Sequence, residues 1–211
     1  MPEPPTATSP LGIAVLGGTF DPPHRSHLRL AQAALAHLPV AELRVLPAGD
    51  HPHKRHRTSA AKHRLAMCRI AFRDVPGVVV DDRELHRPGP SFTVETLAEL
   101  AAEVPDRPIY FLIGSDNLPL LPTWHDHHRL LQLATVVTYP RAGFPIDAGL
   151  LANLDLAPAE RHRLLAHALD LPADATAASD LRARWQRGER NLPELDPAVA
   201  AYLTEHRLYA P

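Results

Sequence analysis

A short segment rich in glycine and histidine, GGTFDPPHRSH from Gly17 to His27, contains the residues best suited to chemistry in this sequence. It follows an apolar run typical of a buried strand, and it opens a predicted helix. Glycines let the backbone approach a ligand closely, and the start of a helix presents free N–H groups to an anion. His24 and His27 are three residues apart, so in a helix their rings project from one face. The segment therefore predicts a compact phosphate site with two imidazoles and no acidic base.

The same segment has other interpretations. It matches neither the Walker phosphate-binding pattern nor the glycine-rich dinucleotide fingerprint. Two histidines one helical turn apart could also form half of a zinc site. The histidines that could complete such a site are in two groups, His51, His53 and His56 and then His125, His127 and His128. Because no third and fourth ligand follows an evident spacing, the metal site stays an alternative.

The composition restricts the class of protein. Of 211 residues, 45% are hydrophobic and 22% are charged, which is average for a globular chain. A formal net charge of −2 provides no global field for a nucleic acid or an anionic membrane, so any bound anion must meet a local cluster. The single cysteine, Cys68, excludes an internal disulfide. Residues 1–10 lack the pattern of a signal peptide, and no apolar run is long enough to span a bilayer. We therefore expect a cytoplasmic protein that binds neither nucleic acid nor membrane.

Apolar periodicity predicts which elements position these residues. Strands are predicted at 11–16, 42–46, 78–82, 109–113 and 135–138. Helices are predicted at 24–38, 59–72 (capped by Thr58 or Ser59), 94–103, 127–133, 158–169, 179–186 and 196–205 (capped by Asp196), with 140–157 irregular. The alternation indicates an α/β fold, a Rossmann-like parallel sheet flanked by helices with a C-terminal helical cap. We expect a flexible tail at 1–10 and a single domain at 11–211, helical from about 158.

Six segments in register across nearly the whole chain resemble the nucleotidyltransferase superfamily and, within it, the bacterial nicotinate-nucleotide adenylyltransferases. GGTFDPPHRSHL is similar to the superfamily motif GGTFDPxHxGHL. The other similar segments are PHK at 52–54, DDREL with GPSFTVETL at 81–97, FLIGSDNL with PTW at 111–124, RAGFP at 141–145 and LPELDPAVAAYLTEHRLY at 192–209. One such motif could arise by chance, whereas six in the expected order favour membership of this family.

The resemblance implies transfer of AMP from ATP to nicotinate mononucleotide, with release of pyrophosphate, in NAD biosynthesis. Mg²⁺ would accompany ATP, held mostly by phosphates and water. The attacking phosphate is already an anion, so catalysis would consist of positioning and electrostatic stabilisation without a general base. By resemblance, His27 and His24 are catalytic at the α-phosphate. The ATP-binding residues would be Gly17, Gly18, Thr19, Phe20, Lys54 with His53 beside it, Ser179 and Arg182.

The resemblance also assigns residues to nicotinate mononucleotide. They are Thr93, Asp116, Trp124 and Arg141. Trp124 would stack on the pyridine ring, and Thr93 would recognise the carboxylate. Without the resemblance, Trp124 would be interpreted as a core or interface residue, Asp116 as a helix N-cap and Arg141 as a surface arginine.

Two residues depart from the family pattern. Ser26 stands where the family has glycine, and Ala177 replaces the first serine of the late phosphate motif ISSTxIR, which is TAASDLR in this chain. Ser179, interpreted as the capping hydroxyl, and Arg182 are retained. Three alternatives stay open: a related mononucleotide adenylyltransferase with another acceptor, a histidine-rich metal-binding or hydrolytic protein, and a non-catalytic nucleotide-binding paralogue.

Overall fold

Five parallel strands form the centre of the molecule. The computed structural model describes residues 10–49 and 58–210. The strands are β1 Gly12–Gly18, β2 Val40–Pro47, β3 Val78–Val80, β4 Ile109–Gly114 and β5 Thr135–Tyr139. They form one sheet in the order β3-β2-β1-β4-β5, with every neighbouring pair parallel. The predicted parallel α/β sheet is confirmed, although β3 ends two residues earlier than expected.

Helices cover both faces of this sheet. They are α1 Arg25–His37, α2 Ala61–Phe72, α3 Arg83–His86, α4 Thr93–Glu103, α5 His127–Leu133, α6 Ala148–Ala152, α7 Pro158–Ala166, α8 Ala178–Gln186 and α9 Pro197–Glu205. On β1, Ala14 and Leu16 pack into one apolar cluster with α1, α2, α8 and α9. Ile13 and Val15 pack into a second cluster with α4, α5, α6 and α7. Because both faces are buried, β1 reads as a continuous apolar run.

The C-terminal helices belong to both layers. Leu164 of α7 packs on one side of the sheet, whereas Trp185 of α8 and Leu203 of α9 pack on the other. Asp196 caps α9 through its carboxylate, which accepts the N–H of Ala198, as predicted. The helical C-terminal part is therefore confirmed. Among residues 10–49 and 58–210, no helix is long and apolar enough to cross a membrane.

Two predicted helix caps are wrong. The N-cap of α2 is Ala60, not Thr58 or Ser59, because the backbone of Ser59 bonds elsewhere, to Asp21 and Arg64. The N-cap of α8 is Ala177, so Ser179 is the second residue inside that helix. Alanine offers no side-chain oxygen to the first-turn amides, a change that costs a helix about 0.5–2 kcal/mol relative to serine.

Short helical segments are absent from the sequence prediction. The irregular segment predicted at 140–157 includes α6, which Asp147 caps by accepting the N–H of Leu150. The four-residue helix α3 and a 3₁₀ helix at Ser115–Thr123 are also unpredicted. Segments of four or five residues are too short to display an apolar period, and the 3₁₀ helix contains two prolines.

The sheet order places one crevice at its centre. From β1 the chain continues to β2 and β3 on one side, whereas β4 and β5 lie on the other. In open α/β sheets, ligands bind beyond the carboxyl ends of the strands, where the connections diverge in this way. The glycine- and histidine-rich segment follows the carboxyl end of β1, so it lies at this crevice.

Candidate active site

A tight turn at the end of β1 shapes the floor of the crevice. Gly17 and Gly18 are still within the strand, paired with Leu46 and Pro47 of β2. Phe20 adopts a left-handed backbone with φ of 49° and is 2% exposed. Its ring lies against Gly18, where an added Cβ would be 3.1 Å from it, so a larger residue there would require the ring to shift by a few tenths of an ångström. Gly17 and Gly18 are thus strand residues, and their part in ATP binding stays a prediction.

His24 and His27 form a stacked pair at the start of α1. Their ring centroids are 3.7 Å apart, and the Phe20 ring packs edge-on against His27 at 4.9 Å. The backbone N–H of His24 donates to Nδ1 of His27 over 3.1 Å. In the neutral ring the proton of His27 must therefore be on Nε2, where it is available as a donor. The local helix start fixes the tautomer, so the donor is preorganised.

Both imidazoles are neutral near pH 7. Burial lowers the pKa of His27 well below its ordinary value, and the neighbouring His24 and Arg141 lower it further. Burial also lowers the pKa of His24 from 6.5 to about 4, although Asp174 opposes the shift. His24 is 4% exposed, and its Nδ1 has no hydrogen-bond partner within the described ranges. Each neutral imidazole ring can therefore donate one N–H to an anion.

These shifts predict a pH dependence. A folded pKa of about 4 for His24 lies below the unfolded value of 6.5, so the unfolded chain binds more protons between these values. Acidification through that window should lower the free energy of unfolding by about 3 kcal/mol from this residue. NMR titration of the ring protons should give a midpoint near pH 4 for His24. The control is exposed His128, whose pKa is raised by its hydrogen bond to Glu160. A His24 midpoint near 6.5 would contradict this account.

A cavity of about 1070 Å³ opens above the histidine pair. Its walls include eight of the predicted site residues, Thr19, Phe20, His24, His27, Asp116, Arg141, Ser179 and Arg182. These residues come from the turn after β1, α1, the 3₁₀ helix, the loop after β5 and α8, so the fold brings together segments far apart in the chain. Gly17, Gly18, Thr93 and Trp124 are not part of its lining. Lys54 and His53 lie outside the described residues.

Arg141 is held in place after β5. Its backbone N–H donates to Oγ of the fully buried Ser115, and the Ser115 hydroxyl donates to the carbonyl of Phe144. The guanidinium donates to the Thr176 carbonyl over 3.1 Å and lies 3.9 Å from the Asp116 carboxylate. Asp116 is close enough to Gly114 that a Cβ there would overlap its carboxylate. Arg141 and Asp116 therefore both line the cavity, and their contact with nicotinate mononucleotide stays a prediction.

Arg182 and the start of α8 form a further part of the cavity wall. Arg182 donates to the backbone carbonyl of Asp21 over 2.7 Å, which ties α8 to the turn after β1. Ser179 lies in the first turn of α8, and the first amides of a helix have no intrahelical acceptor. Amides at a helix start and a guanidinium suit an anion with several oxygens. This wall can hold a polyphosphate.

Asp174 is an unpredicted member of the site. Its carboxylate accepts from Arg29 at 3.1 Å and from the Thr176 amide at 2.7 Å. Although burial opposes ionisation, hydrogen bonds from Ser26 and Thr176 lower its pKa to about 2. Ser26, the residue that replaces the family's glycine, thus hydrogen-bonds another residue of the cavity lining. No sequence signal links two residues so far apart.

A buried arginine is a second residue that the sequence does not reveal. Arg64 of α2 is 5% exposed and donates to the carbonyls of Thr19 and Ser59 at 3.0 and 3.1 Å. Its hydrogen bond to Thr19 therefore holds the turn after β1 in place. In the sequence, Arg64 has the context of an arginine on the solvated face of an amphipathic helix. Only its burial in the structure identifies it as a residue that supports the site.

Thr93 and Trp124 do not line the cavity, and they belong to two segments that contact each other. Thr93 is the first residue of α4, and Trp124 packs edge-on against Phe111 with centroids 6.2 Å apart. The adjacent rings of Phe92 and His125 are 4.4 Å apart, so the two segments meet. Core packing, the alternative interpretation of Trp124, accounts for its present contacts.

The described ranges contain no group of three or more histidine, cysteine, aspartate or glutamate side chains that could hold a metal ion. The second histidine group, at 125, 127 and 128, makes other contacts. His128 bonds Glu160 at 3.0 Å, and the rings of His127 and His128 stack at 4.0 Å. The first group, at 51, 53 and 56, lies outside the described residues. Within residues 10–49 and 58–210, the histidine pair therefore lacks the further ligands that a zinc site needs.

Comparison with known proteins is consistent with this geometry. Residues 15–183 match the model of the cytidylyltransferase-like family. A relative from Albidiferax ferrireducens, named "probable nicotinate-nucleotide adenylyltransferase", is 43% identical over 197 residues, which cover 93% of this chain and 97% of the relative. A relative of the same name from Aeromonas hydrophila is 42% identical over 209 residues, covering 94% and 97%.

A solved structure shares the fold. Plasmodium falciparum nicotinic acid mononucleotide adenylyltransferase complexed with NaAD superposes with a TM-score of 0.76, covering 94% of this chain and 97% of that one. Sequence identity is 19%, so this likeness bears on the fold alone. The family model and the relatives above 40% identity together decide the family. The chain belongs to the cytidylyltransferase-like family and, within it, to the nicotinate-nucleotide adenylyltransferases.

Proposed function

We propose that the chain transfers AMP from ATP to nicotinate mononucleotide, forming nicotinate adenine dinucleotide and pyrophosphate in NAD biosynthesis. The observation that carries the proposal is the neutral His27, whose Nδ1 is occupied by the His24 amide and whose Nε2–H is left for an anion. It lies in a cavity that Arg141 and Arg182 also line. Membership of the nicotinate-nucleotide adenylyltransferases supports the same reaction.

The reaction needs positioning more than proton transfer. A phosphate oxygen of nicotinate mononucleotide forms a bond to the α-phosphorus of ATP, and the bond from that phosphorus to the β-phosphate oxygen breaks. Pyrophosphate leaves with the electron pair, so atoms and charge balance without a base. We assign the Nε2–H of His27 to the oxygens of the α-phosphate, where it stabilises the charge of the transition state. His24 supports the donor by orienting the ring.

The polyphosphate is assigned to the start of α8. Arg182 and the first-turn amides near Ser179 would hold the β- and γ-phosphates. Thr19 and Phe20 would line the ATP side, with Gly17 and Gly18 making room beneath them. Lys54, outside the described residues, stays a predicted phosphate contact.

The acceptor is assigned to the part of the cavity that Arg141 and Asp116 line. Arg141 would meet its phosphate, and Asp116 would accept from a ribose hydroxyl. Thr93 and Trp124 are proposed for the nicotinate ring. Because neither lines the present cavity, their part in binding requires the segments at 92–93 and 124–125 to join it when the acceptor is bound.

Magnesium fits this reaction as part of the substrate. The carboxylates that line the cavity do not combine into a metal site within the described residues. We propose that Mg²⁺ enters as the ATP complex, held by phosphate oxygens and water. The residues of the chain then bind and orient that complex. A cytoplasmic location stays a prediction.

An acceptor assay tests the function. Initial rates of pyrophosphate release should be measured with magnesium and ATP, together with nicotinate mononucleotide, nicotinamide mononucleotide, phosphopantetheine or no acceptor. We expect release with the acid mononucleotide to exceed that with every other acceptor. An equal or greater rate with the amide would replace the proposed acceptor, and no release with any of them would favour a non-catalytic paralogue.

A further inference from the structure

A buried carboxylate lies between the turn after β1 and the segment that follows α9. Asp21 is 1% exposed, and its Oδ1 accepts a hydrogen bond from the hydroxyl of Tyr209 over 2.5 Å. Its Oδ2 accepts the backbone N–H of Ser59 over 3.1 Å, and the Ser59 side chain also hydrogen-bonds Tyr209. Each carboxylate oxygen thus has a donor other than an arginine.

The backbone conformation after α9 places the Tyr209 side chain against Asp21. Arg207 and Tyr209 both adopt left-handed conformations, with φ of 51° and 56°. Such conformations are costly for non-glycine residues and persist only where surrounding contacts fix them. The Leu208 amide donates to the Leu203 carbonyl, and both Leu208 and Tyr209 pack against the core cluster beside α9. The contacts of this segment therefore hold the phenol at Asp21.

Asp21 also contacts Arg182 directly. Its backbone carbonyl accepts the guanidinium over 2.7 Å, while its Oδ2 lies 3.9 Å from the same Nη1 atom. A carboxylate without its other donors would form a close ion pair with this guanidinium. That pair would compete with a phosphate for the same N–H groups, because a guanidinium presents a limited fork of donors.

We propose that Tyr209 is a positioning residue for ATP binding: its hydroxyl holds the Asp21 carboxylate away from Arg182 and leaves that guanidinium free for the polyphosphate. Tyr209 is not part of the cavity lining, so it acts through Asp21 rather than on the substrate. The phenol stays a proton donor because burial and the facing Asp21 carboxylate raise its pKa. The inference rests on the proposed function only in assigning the polyphosphate to Arg182.

Tyr209→Phe isolates the hydroxyl, since the ring that packs on the core is kept. We expect the Kd of a nonhydrolysable ATP analogue and the KM for ATP to rise about 3–10-fold, the effect of one hydrogen bond acting indirectly on a charged contact. The kcat should stay within about twofold, and so should the KM for the acceptor. The matched control is Tyr202→Phe, which removes a hydroxyl that bonds only His63 Nδ1, at 2.9 Å, among the described residues. Tyr202→Phe should leave the Kd of the ATP analogue and the KM for ATP unchanged.

A double mutant separates positioning from general structure. In the Arg182→Ala background, Tyr209→Phe should cause no further loss of ATP affinity, since its effect passes through Arg182. Full additivity would overturn the proposal, as would equal affinity in Tyr209→Phe and the parent. The binding measurement needs no acceptor, so a wrong acceptor and a wrong role for Tyr209 give different results. If the parent itself fails to bind the analogue, the proposed function falls and the inference falls with it.

Discussion

Replacing His27 by alanine should lower kcat for pyrophosphate release by about 10²–10³-fold while the protein stays folded. The expected loss is that of one preorganised donor to the transferring phosphate. The ring of His27 is preorganised because its Nδ1 already accepts the His24 amide and because it stacks on His24 at 3.7 Å. Water that fills the space left by the ring is not oriented in this way, so it cannot replace the donor at equal strength.

The His27→Ala experiment needs a measure of folding and a matched control. Circular dichroism and thermal unfolding should show native secondary structure in the variant. His128→Ala removes the same side chain from an exposed position on α5, away from the cavity, and should keep full turnover. If His27→Ala retains more than about a tenth of the parental kcat, the catalytic role assigned to this ring is wrong.

Replacing Arg182 by alanine should raise the KM for ATP by about 10–10²-fold. Hydrogen bonds between a guanidinium and a phosphate contribute about 1.5–3 kcal/mol each when neither partner is fully solvated. Arg182 lines the cavity and is oriented by the Asp21 carbonyl at 2.7 Å, so its loss removes a donor that is already in place. The KM for the acceptor should change much less, because a different arginine, Arg141, is assigned to the acceptor phosphate.

A second arginine near the same helix is the control. Arg187 is exposed at the C-terminal end of α8, so Arg187→Ala removes an equal charge without touching the cavity. The KM of the Arg187→Ala variant for ATP should match that of the parent. Arg182→Lys should recover part of the lost affinity, because an ammonium keeps the charge but not the planar fork. An unchanged KM in Arg182→Ala would exclude this residue from the polyphosphate site.

Local patterns in the sequence predict much of the fold. The apolar run before Gly17 predicts β1, and the helical spacing after His24 predicts α1, because each pattern lies within one element. His24 and His27 come together for the same reason. The cap of α2 could not be predicted, since the backbone of Ser59 bonds the distant Asp21 and the side chain of Arg64.

Contacts between distant residues explain the rest. Asp174 reaches Arg29 across 145 positions and Tyr209 reaches Asp21 across 188, distances over which no spacing rule operates. Arg64 has the sequence context of a solvated arginine, and only the packing of α2 beneath the turn buries it. The fold also shows what the two departures from the family pattern, at positions 26 and 177, do in the structure. Ser26 bonds Asp174, whereas Ala177 leaves α8 without a side-chain cap.

The most direct test of the central claim follows oxygen from the acceptor. Nicotinate mononucleotide labelled with ¹⁸O in its phosphate should be incubated with the protein, magnesium and unlabelled ATP, and the masses of the products should be measured by mass spectrometry. We expect one labelled nicotinate adenine dinucleotide for each unlabelled pyrophosphate, because the acceptor phosphate attacks the α-phosphorus. Pyrophosphate released without the labelled dinucleotide, or no release from this acceptor at all, would contradict this expectation.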